Sequence, residues 1–402
     1  MLLSIVRQYN GCMRFDIVVA GGGPVGASLA RALRGHSIAL ISGGRPPAIP
    51  EMPESGAGDF DPRVYALSPG SVEFLRSLKV WDVLAPERVT PVHAMRIYGD
   101  AAGATLEMDA YRAGVPELAW TVEDSRLQAA LWGALATQDR IEIFAPAECA
   151  SIGLGESAKV TLSDGRTLES DLLVGADGAD SFVRTAAGMT VRGAAYGQTA
   201  VVANFECERS HGNTAFQWFT GGPVLALLPL PGHRVSMVWS VAHAEAGRLQ
   251  SLEPEMLSRE VSAASTGMLG SLKLISAVKA FPLRRQTADR MVRPHLALAG
   301  DAAHVIHPLA GQGLNLGLQD ARSLSAVLAQ REPVRGVGDL ALLRRYERER
   351  SEAILAMRAT VHGLHSLFGS ERQAIGGIRN VGLNLADRLP VLKNALVRHA
   401  LN

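Results

Sequence analysis

An acidic residue followed by a pair of loop glycines has the side chains and spacing of a ligand-binding segment. Asp301 lies beyond the apolar run Leu296–Ala299, and Gly311 and Gly313 precede residues that favour a helix. Glycines let backbone N–H groups approach a flat, electron-rich ligand closely, and a helix start directs its positive end toward that ligand. The segment therefore predicts a site for an anionic, planar cofactor. Its candidate binding residues are Asp301, Gly311, Gly313, Leu314 and Asn315.

A second glycine-rich segment lies near the start of the chain, directly after the apolar stretch Phe15–Ala20. Gly21, Gly23 and Gly26 have the spacing G-x-G-x-x-G. The first glycine of such a loop makes a tight turn, the second lets the chain approach a pyrophosphate, and the third packs a helix on a strand. A helix-forming run and a second strand, predicted over 37–41, follow the loop. This order predicts dinucleotide binding by the three glycines.

The residue expected to bind the ribose departs from that pattern. An acidic residue normally follows the loop by roughly 20 positions, whereas this chain has Ser42 there, followed by Gly43, Gly44 and Arg45. A serine hydroxyl also hydrogen-bonds a ribose, but more weakly than a carboxylate does. We therefore expect Ser42 at the adenosine end of the cofactor.

The third segment combines a hairpin with an acidic glycine turn. The stretches Lys159–Leu162 and Thr167–Leu168 predict two strands that turn at Ser163–Arg166. The second strand continues as an apolar run into a G-A-D-G turn that contains Asp177. The segment resembles one that two-domain flavoprotein hydroxylases use beside their flavin and nicotinamide sites, and this resemblance implies that Asp177 lies beside the cofactor. The residues that define the motif are Gly175, Asp177, Gly178, Ser181 and Arg184.

Taken in order, the three motifs resemble those of the single-component FAD-dependent aromatic hydroxylases, the para-hydroxybenzoate-hydroxylase-like flavoproteins. The resemblance covers the chain from about residue 15 to residue 321. A closer likeness, to the UbiH/UbiF-type ubiquinone-biosynthesis hydroxylases, extends to the substrate side. The segments that carry this closer likeness are Asp61–Ser68, Tyr196–Ala200, Gly222–Leu230 and His307–Gly313.

The resemblance implies an α/β fold. A Rossmann-like FAD-binding domain is expected to interleave with an α+β substrate domain that contains an antiparallel sheet, and a helical segment is expected to end the chain. The expected ranges are 14–90, 120–190 and 285–335 for the FAD-binding domain, 91–119 and 191–284 for the substrate domain, and 338–402 for the C-terminal helical segment.

The family also implies roles for individual side chains. An arginine and a glutamine contact the flavin in such proteins, and Arg63 and Gln128 match those positions. The alternative is that Arg63 is a surface loop residue and Gln128 a polar residue on a helix face. Asp301 is expected to hydrogen-bond the ribityl chain. The backbone of Leu314 and Asn315 is expected to stabilise negative charge on the flavin pyrimidine.

No side chain is assigned a certain catalytic role, because the flavin carries the difficult chemistry in this family. His307 and Pro308 are the candidates in a loop expected at the flavin edge. Reduced flavin would react with O₂, and the flavin hydroperoxide would transfer an oxygen atom to an electron-rich ring. The expected cofactor is non-covalent FAD, with NAD(P)H as a transient reductant and a polyprenylated phenol as substrate.

Two other classes of function share these motifs. One is a flavin-dependent oxidoreductase of different chemistry, such as a prenyl reductase or an epoxidase. The other is a non-catalytic flavin-fold component of a lipid-biosynthesis complex. Intact Asp301, Gly313 and Asn315 argue against the second class, since a decayed site should lose them first.

Periodicity predicts the elements around the motifs. Helices are expected over 69–78 and 124–136, and an antiparallel meander is expected later in the chain. Phe216, Trp218 and Trp239 alternate with smaller residues, so they would either line a pocket for an aromatic substrate or belong to the core. The predicted meander strands are Thr199–Glu206, Thr214–Phe219, Val224–Leu228 and Val235–Val241.

Composition argues against several other classes of protein. The 402 residues are 47% hydrophobic and 20% charged, which is ordinary for a globular enzyme, and the net charge of +1 gives no reason to expect nucleic acid. Three scattered cysteines predict neither a disulfide framework nor a zinc site. His304 and His307 do not form a helical ligand pair, because Pro308 follows, so no metal is predicted. His304 is expected to be structural and hydrogen-bonded within its loop.

The two ends of the chain differ in character. Residues 1–12 are expected to be unstructured, and no apolar stretch approaches the roughly 18 residues of a membrane span. Residues 371–402 carry five Lys and Arg against two Asp and Glu. This basic tail suits an anionic membrane surface, or else a solvated face of helices packed on the FAD domain. We expect a cytoplasmic protein, with contact to the inner face of the membrane or to other ubiquinone-biosynthesis proteins left open.

Overall fold

The structure is a computed structural model that describes residues 7–9, 12–45, 60–99, 105–220, 222–305 and 312–369. Their strands form three sheets. In chain order the strands are Arg7–Tyr9 (β1), Cys12–Ala20 (β2), Ile38–Ile41 (β3), Val64–Leu67 (β4), Thr90–Val92 (β5), Ala94–Tyr98 (β6), Thr105–Asp109 (β7), Ala119–Glu123 (β8), Ile141–Phe144 (β9), Cys149–Leu154 (β10), Ala158–Leu162 (β11), Thr167–Gly175 (β12), Val191–Cys207 (β13), Thr214–Phe219 (β14), Val224–Leu230 (β15), Arg234–Ala242 (β16), Leu272–Leu274 (β17), Lys279–Ala288 (β18), Val292–Arg293 (β19), Leu296–Leu298 (β20) and His304–Val305 (β21).

The helices connect and cover these sheets. The α-helices are Pro24–Ala32 (α1), Pro69–Ser77 (α2), Ala110–Ala113 (α3), Asp124–Ala136 (α4), Phe182–Ala186 (α5), His243–Gln250 (α6), Pro254–Ala264 (α7), Gln312–Ala329 (α8) and Leu340–Gly369 (α9). Short 3₁₀ helices lie at Trp81–Val83, Pro86–Arg88 and Gly300–Ala302.

The first large sheet has a parallel centre. Its parallel strands lie side by side in the order β20, β12, β2, β3 and β9. The segments Ile17–Ala20 and Ile38–Ile41 are continuous buried apolar runs, as expected of strands covered on both faces. Helix α1 packs against β2 and β3 and contacts α4 and α8. The predicted Rossmann-like, α/β architecture is confirmed.

The second large sheet is mainly antiparallel. Its strands follow the order β21, β18, β13, β16, β15, β14, β6 and β7, with β17 also paired to β13. The predicted hairpin at Ser163–Arg166 is present. The predicted meander is present only in part: β14, β15 and β16 pair in succession, but β13 pairs with β16 and not with β14. A small third sheet in the order β4, β8, β5 contacts the second through β15.

The second sheet buries one of its faces in a core of its own. Side chains alternate along a strand, so Leu225 and Leu227 of β15 pack into this core together with residues of α6 and α7. Phe216, Trp218 and Trp239 belong to the same core. The rings of Phe216 and Trp218 are stacked with centroids 5.8 Å apart. For these three aromatic residues the core alternative is therefore the correct one.

The start of the chain differs from the expectation of an unstructured tail. Strand β1 pairs antiparallel with the beginning of β2, where Arg7 lies opposite Arg14. On the other edge of β2, β12 begins pairing at Cys12, whereas β3 pairs only from Ile17 onward. Strand β1 thus satisfies backbone groups of β2 that β3 does not reach.

Helix α9 packs on the parallel-sheet layer through its first half. The hydroxyl of Tyr346 donates to the carbonyl of Leu298 at 2.8 Å, and Glu347 accepts from the backbone N–H of Met291 at 2.7 Å. These contacts support the packed-helix alternative for this part of the helical segment, while residues 370–402 lie outside the described ranges. Within those ranges, every helix is too short or too polar to cross a membrane.

The sheets relate simply to the expected domain limits. Apart from the first two residues of β2, Cys12 and Met13, the parallel strands lie within ranges expected for the FAD-binding domain. Strand β18 crosses the expected limit at 285, and β21 joins the second sheet from within the FAD-binding range. The domain limits themselves stay a prediction.

Candidate functional site

A cavity of about 900 Å³ lies between the carboxyl ends of the parallel strands and one face of the second sheet. Open α/β sheets bind ligands at this edge, because loops and helix starts meet there. Residues directly following β2, β3, β12 and β20 line the cavity, as do residues of β13, β15, β16 and β18. The cavity therefore has a loop-built wall and a sheet-built wall.

The glycine loop after β2 has the backbone geometry that its spacing predicts. Gly21 adopts a φ of +117°, and a Cβ there would lie 2.1 Å from the carbonyl oxygen of Ala176. A Cβ on Gly26 would lie 2.0 Å from the carbonyl oxygen of Gly21, so α1 approaches the strand as closely as glycine allows. The indole N–H of Trp132 in α4 donates to the carbonyl of Gly22 at 2.9 Å and fixes the loop.

Gly23 shows that the loop fits a dinucleotide. A Cβ at this position would meet no atom within 4 Å, and Gly23 lines the cavity. Helix α1 begins at the next residue with Pro24 in its first turn and no acidic side chain there. Unpaired N–H groups and the positive helix end favour an anion at this point. The open face of Gly23 and the start of α1 together form a cradle for a pyrophosphate.

Ser42 lies at the end of β3, where the sequence placed the ribose. Its side chain lines the cavity and its hydroxyl donates to the carbonyl of Gly44 at 2.6 Å. A Cβ on Gly22 would lie 2.4 Å from this hydroxyl, so Ser42 touches the glycine loop. The side chain of Glu148, on the loop after β9, lines the cavity beside it.

Arg63 and Gln128 meet at one carboxylate. Gln128 donates to Asp124 at 2.8 Å, and the Arg63 guanidinium lies 3.8 Å from the other oxygen of Asp124. Both side chains line the cavity. The guanidinium also lies over the ring of Phe281, 5.7 Å from its centroid. The structure thus brings together two residues that were predicted from distant segments.

Tyr65 belongs to the same cluster and was missed in the sequence. Its hydroxyl donates to Asp124 at 3.0 Å, and its ring lines the cavity. Burial raises the pKa of Tyr65 well above its ordinary value, and neighbouring Asp124 adds to this shift against the opposing charge of Arg63. The phenol therefore stays protonated. Tyr65 lies two residues beyond Arg63, in a strand that begins at Val64, and extended backbone puts residues two apart on one face, which was the signal that could have found it.

Asp177 lies at the cavity, but its carboxylate serves its own loop. One oxygen accepts from the Ser181 hydroxyl at 2.5 Å and the other from the backbone N–H of Val183 at 3.0 Å. Ser181 in turn caps α5. Arg184 of the same motif donates to the carbonyl of Ala302, which ties this loop to the Asp301 segment. A direct contact of Asp177 with the cofactor stays a prediction.

Asp301 lies in the 3₁₀ helix after β20 and its side chain is open to the cavity. The surrounding protein nevertheless raises the pKa of Asp301 by burial. The charges of His304, Arg63 and Arg284 act against this shift. A carboxylate held among positive groups at this point suits a hydrogen-bond acceptor for a polyol such as the ribityl chain.

A buried ionic cluster holds the Asp301 segment in place. Fully buried Asp320 in α8 accepts from His304 at 2.6 Å and from Arg350 in α9 at 2.6 Å. It also accepts from the backbone N–H of Gly300 at 2.9 Å. Burial acts to raise the pKa of Asp320, but His304 and Arg350 outweigh it and hold this pKa below its usual value. His304 is structural, as expected, but its partner lies in α8 and not within the loop.

The start of α8 supplies the last predicted residues. Gly313 and Leu314 line the cavity. Asn315 is 1% exposed, and its amide bonds the backbone of Ala66 and Ser68, each at 2.8 Å, so its side chain locks α8 onto β4. Any contact of Asn315 with the cofactor is left to its backbone. Gly311, His307 and Pro308 lie outside the described residues.

The sheet-built wall is apolar. The side chains that alternate with the second core face the cavity here, and none of the residues that form this part of the wall carries a charge. They are Ala200, Val202, Ala226, Leu228, Val238 and Phe281. Arg284, paired with Asp180 at 2.6 Å, marks where the apolar wall meets the charged loops. This wall could not be predicted from the sequence, because an alternating strand does not show which of its faces meets a cavity.

Comparison with known protein families agrees with this geometry. A family model described as an FAD binding domain matches residues 14–360. The 3-demethoxyubiquinol 3-hydroxylase of Escherichia coli (strain K12) is 33% identical over 391 residues, covering 96% of this chain and 98% of that protein. The ubiquinone hydroxylase UbiL of Rhodospirillum rubrum is 34% identical, covering 96% and 89%. The mitochondrial ubiquinone biosynthesis monooxygenase COQ6 of Caenorhabditis elegans is 30% identical, covering 98% of each chain.

Solved structures show the same fold. The p-nitrophenol 4-monooxygenase PnpA of Pseudomonas putida DLL-E4 superposes with a TM-score of 0.77 at 16% identity, covering 97% of this chain and 99% of that one. HpxO of Klebsiella pneumoniae, complexed with FAD and uric acid, gives 0.72 at 18% identity, covering 96% and 97%. At these low sequence identities, the superpositions show only that the fold is shared. With the family match and the whole-length relatives, they establish that the chain belongs to the FAD-binding-domain family and is an FAD-dependent monooxygenase of the hydroxylase kind.

Proposed function

We propose that this monooxygenase hydroxylates the aromatic ring of a polyprenylated phenol in ubiquinone biosynthesis. One observation carries the proposal: a single cavity joins the glycine loop, which fits a dinucleotide, to an uncharged wall built by the second sheet. An electron-rich ring bearing an isoprenoid chain matches such a wall. The names of the relatives, which are ubiquinone hydroxylases and a ubiquinone-biosynthesis monooxygenase, indicate the same substrate class.

The predicted cofactor residues define how FAD would be held. Gly23 and the start of α1 would take the pyrophosphate, and Ser42 would lie at the adenosine end. Asp301 would accept from the ribityl chain. Arg63, directly before β4, and Gln128 on α4 are held together through Asp124 and would contact the flavin. Gly23, Ser42, Arg63, Gln128 and Asp301 all line one continuous cavity.

The protein's own groups would then provide the surroundings that the reaction needs. FAD, when bound and reduced by a transient nicotinamide donor, supplies the activation of O₂. Backbone N–H groups at Gly313 and Leu314 lie at the start of α8, where the positive helix end stabilises negative charge. The apolar wall excludes water from the reacting ring and positions it. The neutral phenol of Tyr65 holds Asp124 in place and does not act as a base.

Turnover with a defined substrate tests this proposal. Purified protein with FAD, NADPH and isotopically labelled O₂ should convert a short-tailed prenylphenol into a product with one labelled oxygen on the ring. Complementation of ubiquinone-deficient hydroxylase strains, with identification of the accumulated precursor, should then define the ring position. A product with an unchanged ring and a reduced or epoxidised prenyl chain would assign the protein to a different oxidoreductase class.

We further propose peripheral membrane attachment through the basic tail at 371–402. Five basic against two acidic side chains, at about 1 kcal/mol per basic residue near an anionic surface, would give a modest attachment that high salt removes. Deleting 371–402 should weaken co-sedimentation with anionic vesicles. Equal sedimentation of truncated and full-length protein would eliminate the membrane role and leave the hydroxylase proposal standing.

A further inference from the structure

The adenosine end of the cavity lacks the carboxylate that dinucleotide folds use to bind ribose hydroxyls. Ser42 occupies that position at the end of β3, and its hydroxyl proton is already donated to the carbonyl of Gly44. Gly43 and Gly44 add no side chain. The end of β3 therefore offers no strong acceptor for a ribose hydroxyl.

The neighbouring strand brings a carboxylate to the same place. Strand β9 runs parallel to β3, with Ile41 beside Phe144, so both strands end at the same edge of the sheet. The segment beyond β9 is hydrogen-bonded to the segment beyond β3. The backbone N–H of Ser42 donates to the carbonyl of Phe144 at 2.9 Å, and the backbone N–H of Ala147 donates to the carbonyl of Ser42 at 2.8 Å. Glu148 follows directly.

The side chain of Glu148 stands over the glycines that follow Ser42. A Cβ on Gly43 would lie 3.7 Å from Glu148 Oε1, so the carboxylate occupies the space into which a longer side chain at position 43 would point. Glu148 lines the cavity together with Ser42 and Gly43. Because Gly43 and Gly44 have no side chains, the space beside the end of β3 can hold the carboxylate of Glu148, which follows β9.

The other carboxylates along the described part of the cavity wall bind other partners or lie at another part of the cavity. Asp177 caps its own loop, and Asp180 is paired with Arg284. Asp301 lies on the segment after β20, beside Arg63 and His304. The backbone carbonyl of Glu148 accepts from the N–H of Ser163 at 2.9 Å, but its carboxylate makes no hydrogen bond or ion pair with any residue that the structure describes. The two carboxylate oxygens are therefore free to accept.

We propose that Glu148 replaces the absent β3 carboxylate and accepts hydrogen bonds from the hydroxyls of the adenosine ribose of FAD. This inference rests on the proposed placement of FAD along the glycine loop. It makes Glu148 a cofactor-binding residue that the dinucleotide-binding pattern does not contain, supplied by a neighbouring strand.

Binding of FAD to the apoprotein, followed by quenching of flavin fluorescence, tests the assignment. A hydrogen bond to a charged group, at the low end of its range because Glu148 is exposed, predicts a Kd for FAD raised about tenfold in Glu148→Ala. Glu148→Gln keeps one acceptor oxygen and should lie between this variant and the wild type. Glu156→Ala, which removes an exposed glutamate in the turn between β10 and β11, is the matched control and should bind FAD normally.

An FAD analogue whose adenosine ribose lacks both hydroxyls makes the test specific. Glu148→Ala should weaken FAD but leave the affinity for the analogue nearly unchanged, because the bond that it removes is already missing. An unchanged Kd for FAD, or an equal loss for FAD and analogue, would overturn the assignment. If FAD did not lie along the glycine loop at all, the result would be different, because Gly23→Val would then still bind FAD.

Discussion

The two walls of the cavity differ in the kind of chemical groups that they present to a ligand. The loop-built wall consists of turns and helix starts in which glycines and charged groups hold fixed positions, such as Gly23 and Asp301. The sheet-built wall is one face of a continuous antiparallel sheet that presents aliphatic surface, including Val202, Leu228 and Val238. A change on the first wall removes one specific contact, whereas a change on the second alters area and fit.

This difference separates cofactor from substrate. A dinucleotide needs donors and acceptors at defined points, so its wall depends on individual residues. A prenylated ring needs a dry surface of the right shape, and many apolar residues can provide one. Changes on the loop-built wall should therefore alter FAD binding or stability, and changes on the sheet-built wall should alter substrate binding while FAD stays bound.

The largest effect is expected at Gly23. Gly23→Val leaves the backbone relaxed, since Gly23 has an ordinary φ of −69°, but places a branched side chain in the open space of the pyrophosphate cradle. The variant should purify folded and without bound flavin, measured by its visible absorbance. Gly133→Val adds the same side chain in open space on α4, away from the cavity, and is the control. Wild-type flavin absorbance in Gly23→Val would contradict the placement.

The next effect concerns the ionic cluster behind the loop-built wall. Asp320→Ala leaves Arg350 as a buried, uncompensated charge and His304 without its acceptor, and such a loss costs about 3–5 kcal/mol of unfolding free energy. Urea unfolding at neutral pH should show this loss, while Asp139→Ala at an exposed aspartate should show none. A change below about 1 kcal/mol would mean that the cluster does not hold the wall.

The same cluster gives a pH dependence with a defined sign. Because the pKa of Asp320 is depressed in the folded state, its contribution is complete above the unfolded-state value near ~4 and disappears as pH falls through the lower folded-state pKa. The stability difference between wild type and Asp320→Asn should therefore shrink in acid. A difference that stays constant below pH ~4 would contradict the shift.

How much could be predicted from the sequence also differs between the walls. The spacing of Gly21, Gly23 and Gly26 specifies a loop whose geometry is dictated by close backbone contacts, so the motif predicted both the fold and the cradle. Arg63 and Gln128 were predicted to contact the flavin through the family resemblance. That Asp124 joins them could not be predicted, because the contact depends on how β4 packs beside α4.

The sheet-built wall and Glu148 show the limits of pattern reading. Alternation along β15 predicted a strand with two faces, but nothing in the pattern indicates that Leu227 faces a core and Leu228 a cavity. Glu148 reaches the end of β3 only because β9 pairs beside that strand, a neighbour far along the chain. Contacts between strands depend on the topology of the sheet, and the local spacing of residues does not reveal that topology.

A smaller effect is expected from Asp301. Asp301→Ala should weaken FAD binding by about 1.5–3 kcal/mol, the range of a hydrogen bond to a charged group, while the protein stays folded because Asp320 and not Asp301 anchors the segment. Titration of the apoprotein with FAD measures this loss, with Asp139→Ala again as control. An unchanged FAD affinity would remove Asp301 from the cofactor contacts.

The smallest effect is expected on the sheet-built wall, and it gives the most specific test of the difference between the cofactor wall and the substrate wall. Val238→Thr keeps the side-chain shape but replaces a methyl group facing the cavity by a hydroxyl, which predicts a KM for a prenylphenol raised roughly fourfold with unchanged FAD affinity. Val235→Thr makes the same change three residues earlier, on the buried face of β16. It should lower the unfolding free energy by about 1–3 kcal/mol and leave KM unchanged. If Val235→Thr raised KM and Val238→Thr did not, the substrate would lie on the other side of this sheet.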